Sequence, residues 1–385
     1  MKVAIVHDYL NTYGGAERVL DELHAMYPDA PVFVSVHDPA RLPAHYRTWD
    51  IRPSRLNRFK AVRPRHQALL PFLPSVFESF DLDGYDLVIS DPSGFCKGVL
   101  TNPETCHVSY CHSPPRFLWD FHRYAERESL GRVSRGVLAP LLPRLRVWDR
   151  AAADRVDYYV TTSGLVQSRI EKFYRRPSVI IPPPVNVSNF RVSDADDGYF
   201  LLLMRLVGWK RPDIVVEACT RLGLPLVVAG DGREEARLRR IAGPTVKFVG
   251  RVWDDEIGEL YARCRAFVLP AVEDFGITPL EAMASGKPVI AIGAGGVLDT
   301  VVPGLTGEFF HEQTADEVAR TLQDFDPRRY DPIRIRFHAE QFDTSVFRAR
   351  LRSEIDRCLA DHRVRHAGFT TTTRTRERPA LLAAS

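Results

Sequence analysis

The 385-residue sequence contains no run approaching the roughly 20 uninterrupted apolar residues that a membrane-spanning helix needs, so any membrane contact is expected to be peripheral. It has no CxxC pair and no His/Cys metal-ligand spacing. Its six cysteines (Cys96, Cys106, Cys111, Cys219, Cys264, Cys358) are scattered, which argues against a disulfide scaffold or a zinc module and fits reduced, buried thiols of a cytosolic protein. Neither sign of charge is in strong excess, and a formal net charge of +3 gives no ground for a nucleic-acid partner. The apolar opening MKVAIV is too short for the hydrophobic region of a secretory leader, so a cytoplasmic location is expected, extending to the inner face of the cell membrane. What is present is ordinary for a soluble globular body: 45% hydrophobic and 26% charged residues, in a chain long enough for two domains.

Short β-rich runs alternate with segments of helical period: KVAIVH, the helical segment 16–26, PVFVSV, YDLVIS, CHVSYC and DYYVTTS. Strands separated by helices predict βαβ units and parallel sheets. After the polar stretch 186–198 (NVSNFRVSDADDG) the pattern restarts with GYFLLLMRL, PLVVAGD, VKFVGR, AFVLPA and PVIAIG. The expected organisation is α/β, with one Rossmann-like domain over 1–190 and a second over 191–344. A packing helix is expected over 345–362, with Val346, Leu351, Ile355 and Leu359 at helical spacing, and a disordered, Thr-rich tail over 363–385.

Glu273 and Glu281 stand eight positions apart in EDFGITPLE, the first after the run AFVLPA and the second inside the next helical segment. A strand, a glycine-containing turn and a helix start build an anion site, in which the backbone of Phe275, Gly276, Ile277 and Thr278 can present N–H groups to a diphosphate. Glu281, about one turn in, can then reach a ribose. Taken singly, both glutamates also fit as acids favoured near a helix N-terminus. In the first half, Gly14-Gly15 precedes a helix after the first strand, where the backbone of Gly15 can approach phosphates, and His112 follows the run CHVSYC, where ligand sites collect in open α/β sheets.

This set of residues resembles glycosyltransferase family 4, the retaining family with the GT-B fold of two Rossmann-like parallel-sheet domains facing across a cleft. The Glu273 to Glu281 spacing resembles the family's Glu-x7-Glu signature, and Arg205 and Lys210 in MRLVGWK match the family's pair that holds the donor diphosphate. Gly230-Asp231-Gly232 matches its GDG turn, and Val249-Gly250-Arg251 the region that contacts the base through backbone atoms. The string CHSPPRFLWD, with the LLPFLPSVFESFDLDGYDLVIS, VWDRAAADRVDYYVTTS and IPPPVNVSNF runs, resembles the bacterial GDP-mannose-dependent mannosyltransferases of the family. Two departures stand out: the glycine-rich turn GAGGVLD ends in Asp299 where the family usually has Glu, and Thr162 precedes Ser163 where Asn is more usual.

The resemblance implies that His112 lies beside the donor sugar, with Glu273 on its other side and Arg205 and Lys210 on the leaving diphosphate. It implies a hexosyltransferase with a nucleotide-sugar donor, GDP-mannose first and UDP-hexose second, acting on a glycan or lipid-linked acceptor. No cofactor and no metal are expected: the DxD-like pairs Asp81/Asp83 and Asp194/Asp196 read as solvated turns. Other chemistries hosted by the same fold, an epimerase or a phosphorylase, and a non-catalytic glycan-binding protein are the rival readings. Segment 51–77 carries Arg52, Arg55, Arg58, Lys60, Arg63 and Arg65 and no acid before Phe77, interleaved with Leu56, Phe59, Val62, Leu69, Leu70, Phe72 and Leu73. Such a segment suits either an anionic membrane surface or an arm packed on the first domain.

Overall fold

The computed structural model describes residues 1–59, 63, 70–127, 131, 136, 138–252 and 254–366. Its apolar runs form two separate parallel sheets. The first holds β1 (Val3–His7), β2 (Val32–Val34), β3 (Ile51–Pro53), β4 (Leu87–Asp91), β5 (Cys106–Cys111), β6 (Tyr158–Thr161) and β7 (Val179–Ile180), in the spatial order β3-β2-β1-β4-β5-β6-β7. The second holds β8 (Phe200–Leu203), β9 (Leu226–Ala229), β10 (Val246–Gly250), β11 (Ala266–Leu269), β12 (Val289–Ile292) and β13 (Gly307–Phe310), in the order β10-β9-β8-β11-β12-β13.

Helical crossovers cover both faces of such a sheet, which is why its central strands read as unbroken apolar runs. All five residues of β1 are buried: Val3 and Ile5 join the core on one face, Ala4 and Val6 that on the other. Ile5 sits in register with Val32 of β2 on one side and Ile89 of β4 on the other. The strand order reverses between β1 and β4 in the first sheet and between β8 and β11 in the second, and ligands of doubly wound sheets bind beyond the carboxyl ends of the strands at such reversals.

Three strands lie outside the runs read from sequence. β3 has three residues and ends in Pro53, which an edge position tolerates; β7 has two, both exposed; β13 is Gly-Glu-Phe-Phe at the far edge of the second sheet. The helix expected over 345–362 runs Thr344–His366, so the first four residues assigned to the tail are helical, and the rest of the tail lies outside the described residues. Its buried stripe is Phe347, Leu351, Ile355, Cys358, Leu359 and His362; Phe347 rather than Val346 begins it. That stripe joins the core of the first sheet, with Phe347 edge-on to Tyr110 at 5.7 Å between ring centroids. The chain therefore crosses to the second domain near Val185 and returns at Asp343, the two crossings pairing in a short parallel bridge.

Candidate active site

Both strand reversals open onto one cleft of about 350 Å³, lined by Gly15, His112 and Arg116 from the first domain and Lys210, Glu273 and 274–278 from the second. From the second domain, β8 delivers Lys210 and β11 delivers Glu273, and the Lys210 ammonium lies 2.8 Å from Glu273 Oε1, each side chain about one-fifth exposed. The first N–H groups of a helix lack intrahelical acceptors, and Gly276, Ile277 and Thr278, which start the helix Ile277–Ala284, line this cleft. Gly276 turns the chain with φ of 92°. The glycine-rich turn supports it from below: Gly296 N donates to Glu273 O at 3.0 Å, and a Cβ on Gly296 would stand 2.3 Å from Asp274 O.

Across the cleft, Gly15 opens the helix Gly15–Met26, and a Cβ there would meet Ile277 Cδ1 at 3.4 Å. His112 follows β5 and is anchored from behind: its Nε2 lies 2.6 Å from Oδ1 of Asp91, the fully buried last residue of β4. The other oxygen of Asp91 takes a 2.9 Å bond from His7 Nδ1, and His7 Nε2 lies 3.7 Å from Glu17 Oε1. Burial by itself would lower the His7 pKa, but bonds and charge from Asp91 and Glu17 outweigh it and push it up to about 10. Asp91 is correspondingly held below the usual carboxylate range: desolvation opposes ionisation, and both histidines overcome it. Glu17 Oε2 in turn accepts from Gly14 N at 2.8 Å, so the glycine turn and His112 are joined by a series of hydrogen bonds and one ion pair, His7 with Glu17. Asp8, one residue past β1, accepts from the backbone N–H of Ser93, Phe95 and Cys96 and fixes the loop after β4.

Not every expected residue joins this cleft. Glu281 is 3% exposed and accepts from Arg18 Nη1 at 2.5 Å and from the Tyr261 hydroxyl at 3.1 Å; it lines a neighbouring cavity of about 250 Å³ with Tyr13 and Arg18. Its carboxylate is satisfied across the domain interface, an arrangement that local spacing does not reveal. Arg205 and Arg251 are exposed beyond β8 and β10 and line neither cavity. Gly230 and Gly232 have a packing reason to be glycine: at φ of 113° and 157°, a Cβ would stand 2.0 Å from Met204 O and 2.1 Å from Leu206 O, where the turn after β9 lies against the one after β8.

The residues missed from sequence are those that clasp the domains. Asp274 accepts from Arg116 Nε at 2.9 Å and Arg169 Nη1 at 2.5 Å, while Ser163 Oγ donates to Asp274 O at 2.5 Å. Asp299 accepts from Gly164 N at 2.8 Å, giving that shorter side chain a defined interdomain contact. Thr162 lines the cleft, and its buried Oγ1 has no hydrogen-bond partner among the described residues. The string CHSPPRFLWD and the run VWDRAAAD meet where Trp119 Nε1 donates to Asp149 at 2.7 Å; the same carboxylate oxygen accepts from the Tyr174 hydroxyl at 3.0 Å, and the other forms a buried ion pair with Lys97 from the loop after β4.

Asp83 N donates to Asp81 Oδ1 at 3.1 Å in a turn, and Asp196 pairs with Arg265 at 3.1 Å, so neither DxD-like pair faces the cleft. Among the described residues, one His/Cys/Asp group, Cys106, Asp157 and His362, has ligand atoms within 4.8 Å of one another; Cys106 begins β5, at the opposite end from His112. In the basic segment, Arg52 bonds Asp50 and the Tyr85 hydroxyl, Arg63 donates to Asn57 O at 3.1 Å, and Arg58 lies over the ring of Phe59. Lys60, Val62, Arg65 and Leu69 lie outside the described residues.

Two doubly wound parallel sheets that face each other, with both strand reversals on the shared cleft, define the GT-B fold. Residues 13–189 match the family described as Glycosyltransferase Family 4, and residues 187–326 the one described as Glycosyl transferases group 1. The chain belongs to glycosyltransferase family 4. It is 30% identical over 203 residues to a GDP-mannose-dependent alpha-mannosyltransferase of Mycolicibacterium smegmatis, covering 50% of this chain and 52% of that protein. It is 29% identical over 211 residues to a GDP-mannose-dependent alpha-(1-6)-phosphatidylinositol monomannoside mannosyltransferase of Mycobacterium tuberculosis, covering 46% and 55%. The chain thus spans about half the length of the curated relatives it matches. The crystal structure of Anabaena Alr3699/HepE in complex with UDP superposes with a TM-score of 0.66 at 16% identity, covering 92% of this chain and all of that one, which speaks for the fold alone.

Proposed function

We propose that the chain transfers a hexose with retention of configuration, mannose from GDP-mannose, to a hydroxyl of a glycan or lipid-linked acceptor. The observation that carries this reading is the cleft itself: Lys210, Glu273 and the N–H groups of 276–278 on one wall face His112 and Gly15 on the other. A cation and a helix N-terminus stabilise a departing diphosphate, and each preorganised contact of this kind is worth roughly 2.7 to 4 kcal/mol of transition-state stabilisation. In this reading the acceptor hydroxyl approaches on the face the diphosphate leaves, and a phosphate oxygen takes its proton, so transfer needs no metal. Arg205, exposed beyond β8, swings onto the diphosphate, and Glu281 meets the ribose once Arg18 releases it. The choice of GDP-mannose rests on the two mannosyltransferase relatives and on the string around His112. A lipid-linked acceptor fits the phosphatidylinositol mannoside relative, and the basic 51–77 segment then serves as a peripheral contact.

The test is a donor panel followed by product analysis. GDP-mannose should raise the melting temperature where UDP-hexoses do not, and mass spectrometry with lipid-linked acceptors should find a hexose added in chelator, with α configuration by NMR. Stabilisation by UDP-hexoses alone would reassign the donor, an inverted product would remove retention, and activity that returns only with Mg²⁺ or Mn²⁺ would remove the metal-free mechanism.

A further inference from the structure

Behind His112 lies a buried polar chain that the transfer chemistry leaves unused: Gly14 N, Glu17, His7, Asp91, His112. Glu17, His7 and Asp91 are at most 4% exposed, and they are contributed by the first helix and the ends of β1 and β4, with His7 and His112 converging on the Asp91 carboxylate. Buried charges persist only when paired, and these pair in alternation, Glu17 negative, His7 positive, Asp91 negative. Asp91 as a carboxylate can only accept hydrogen bonds, so the His112 nitrogen 2.6 Å away, Nε2, must carry the proton. That leaves Nδ1 as the ring nitrogen with no partner among the described residues, on a side chain that lines the cleft.

We propose that Asp91, charged and held in place by His7, is a positioning residue that fixes the tautomer and orientation of His112, so that Nδ1 is the atom presented to the donor sugar. A carboxylate behind an imidazole sets which nitrogen is protonated and holds the ring against rotation. Here the same chain ends on Gly14 N, so the glycine turn and His112 are set together, and a ligand touching both meets a wall that is already assembled. This proposal rests on the transferase reading above for the word donor, but not for the tautomer.

Two measurements on the full chain test it. In nitrogen-15 spectra of histidine-labelled protein, with His112 assigned by its loss in H112Q, the ligand-free chain should show His112 protonated at Nε2, and D91N should move it toward a mixture of tautomers. D91N should lower kcat on the order of 10²-fold, the usual consequence of a misplaced reacting group, with donor KM within about twofold and no further loss on an H112Q background. A neutral His112 protonated at Nδ1 in the wild-type chain would overturn the proposal, a result that does not depend on D91N folding. So would additive losses in the double variant. A chain with the expected tautomer that transfers no sugar would overturn the transferase reading and leave the positioning assignment standing.

Discussion

Replacing Glu273 by Gln should change nucleotide binding and turnover in opposite directions. In the cleft the Lys210 ammonium is spent on Glu273 at 2.8 Å, with both side chains about one-fifth exposed. A diphosphate entering beside Lys210 has to share that cation with a carboxylate that also repels it. Glutamine keeps the volume and one acceptor oxygen but removes the charge, so what is lost is the Coulombic part of a partly solvated pair, about 1 kcal/mol or less. Lys210 released by that amount should bind GDP up to about fivefold more tightly, since 1.4 kcal/mol is a factor of ten. Turnover should fall about 10²- to 10³-fold, because the carboxylate is then missing where charge develops on the sugar. Isothermal titration with GDP at fixed salt gives the first quantity and initial rates give the second. Weaker GDP binding in E273Q would refute the idea that Glu273 restrains Lys210, whatever happened to the rate.

Other outcomes follow from the same geometry. D149A strands the buried Lys97 ammonium and removes the acceptor of Trp119 and Tyr174, so urea unfolding should show a loss of about 3 to 5 kcal/mol; a loss under 1 kcal/mol would contradict the burial. G230A adds a Cβ against Met204 O at a positive φ, so unfolding should show more than about 1 kcal/mol lost even if the turn never touches a ligand. His7 titrates higher in the folded chain, about 10, than its ordinary 6.5, so its contribution is complete below about pH 6.5 and is lost as pH rises through 10. The fall in melting temperature between pH 7 and 10 should therefore be smaller in H7Q than in the wild type, and equal falls would exclude a charged His7. Anionic liposomes should sediment the chain at low salt, and neutralising Arg52, Arg55, Arg58, Lys60, Arg63 and Arg65 together should abolish this; undiminished sedimentation would remove the membrane role.

Ten of the strands were legible because each is an apolar run flanked by turn residues, and the two-sheet division because that pattern restarts after 186–198. β3, β7 and β13 were not, since two to four residues at a sheet edge carry too little periodicity. Gly15, His112, Lys210, Glu273 and 275–278 converge as their places at strand ends suggest. The partners that complete the site were hidden for a different reason. Asp91 is 21 positions from His112, Arg116 is 158 from Asp274, and Arg18 is 263 from Glu281, and no local spacing encodes such pairs. Glycines mislead in the opposite way: Gly230 and Gly232 look like a phosphate turn, while their nearest constraint is a neighbouring backbone.

The return of the helix Thr344–His366 to the first sheet bears on how the chain is made. The first domain emerges from the ribosome lacking Phe347, Leu351 and Ile355, which share one face of its sheet with Val19, Leu20 and Leu23 of the first helix, so part of that face stays open until the second domain has been synthesised. Stability of the first half is therefore a property of the finished chain, and a nascent chain stalled before residue 344 exposes part of a sheet face to whatever chaperone is nearby.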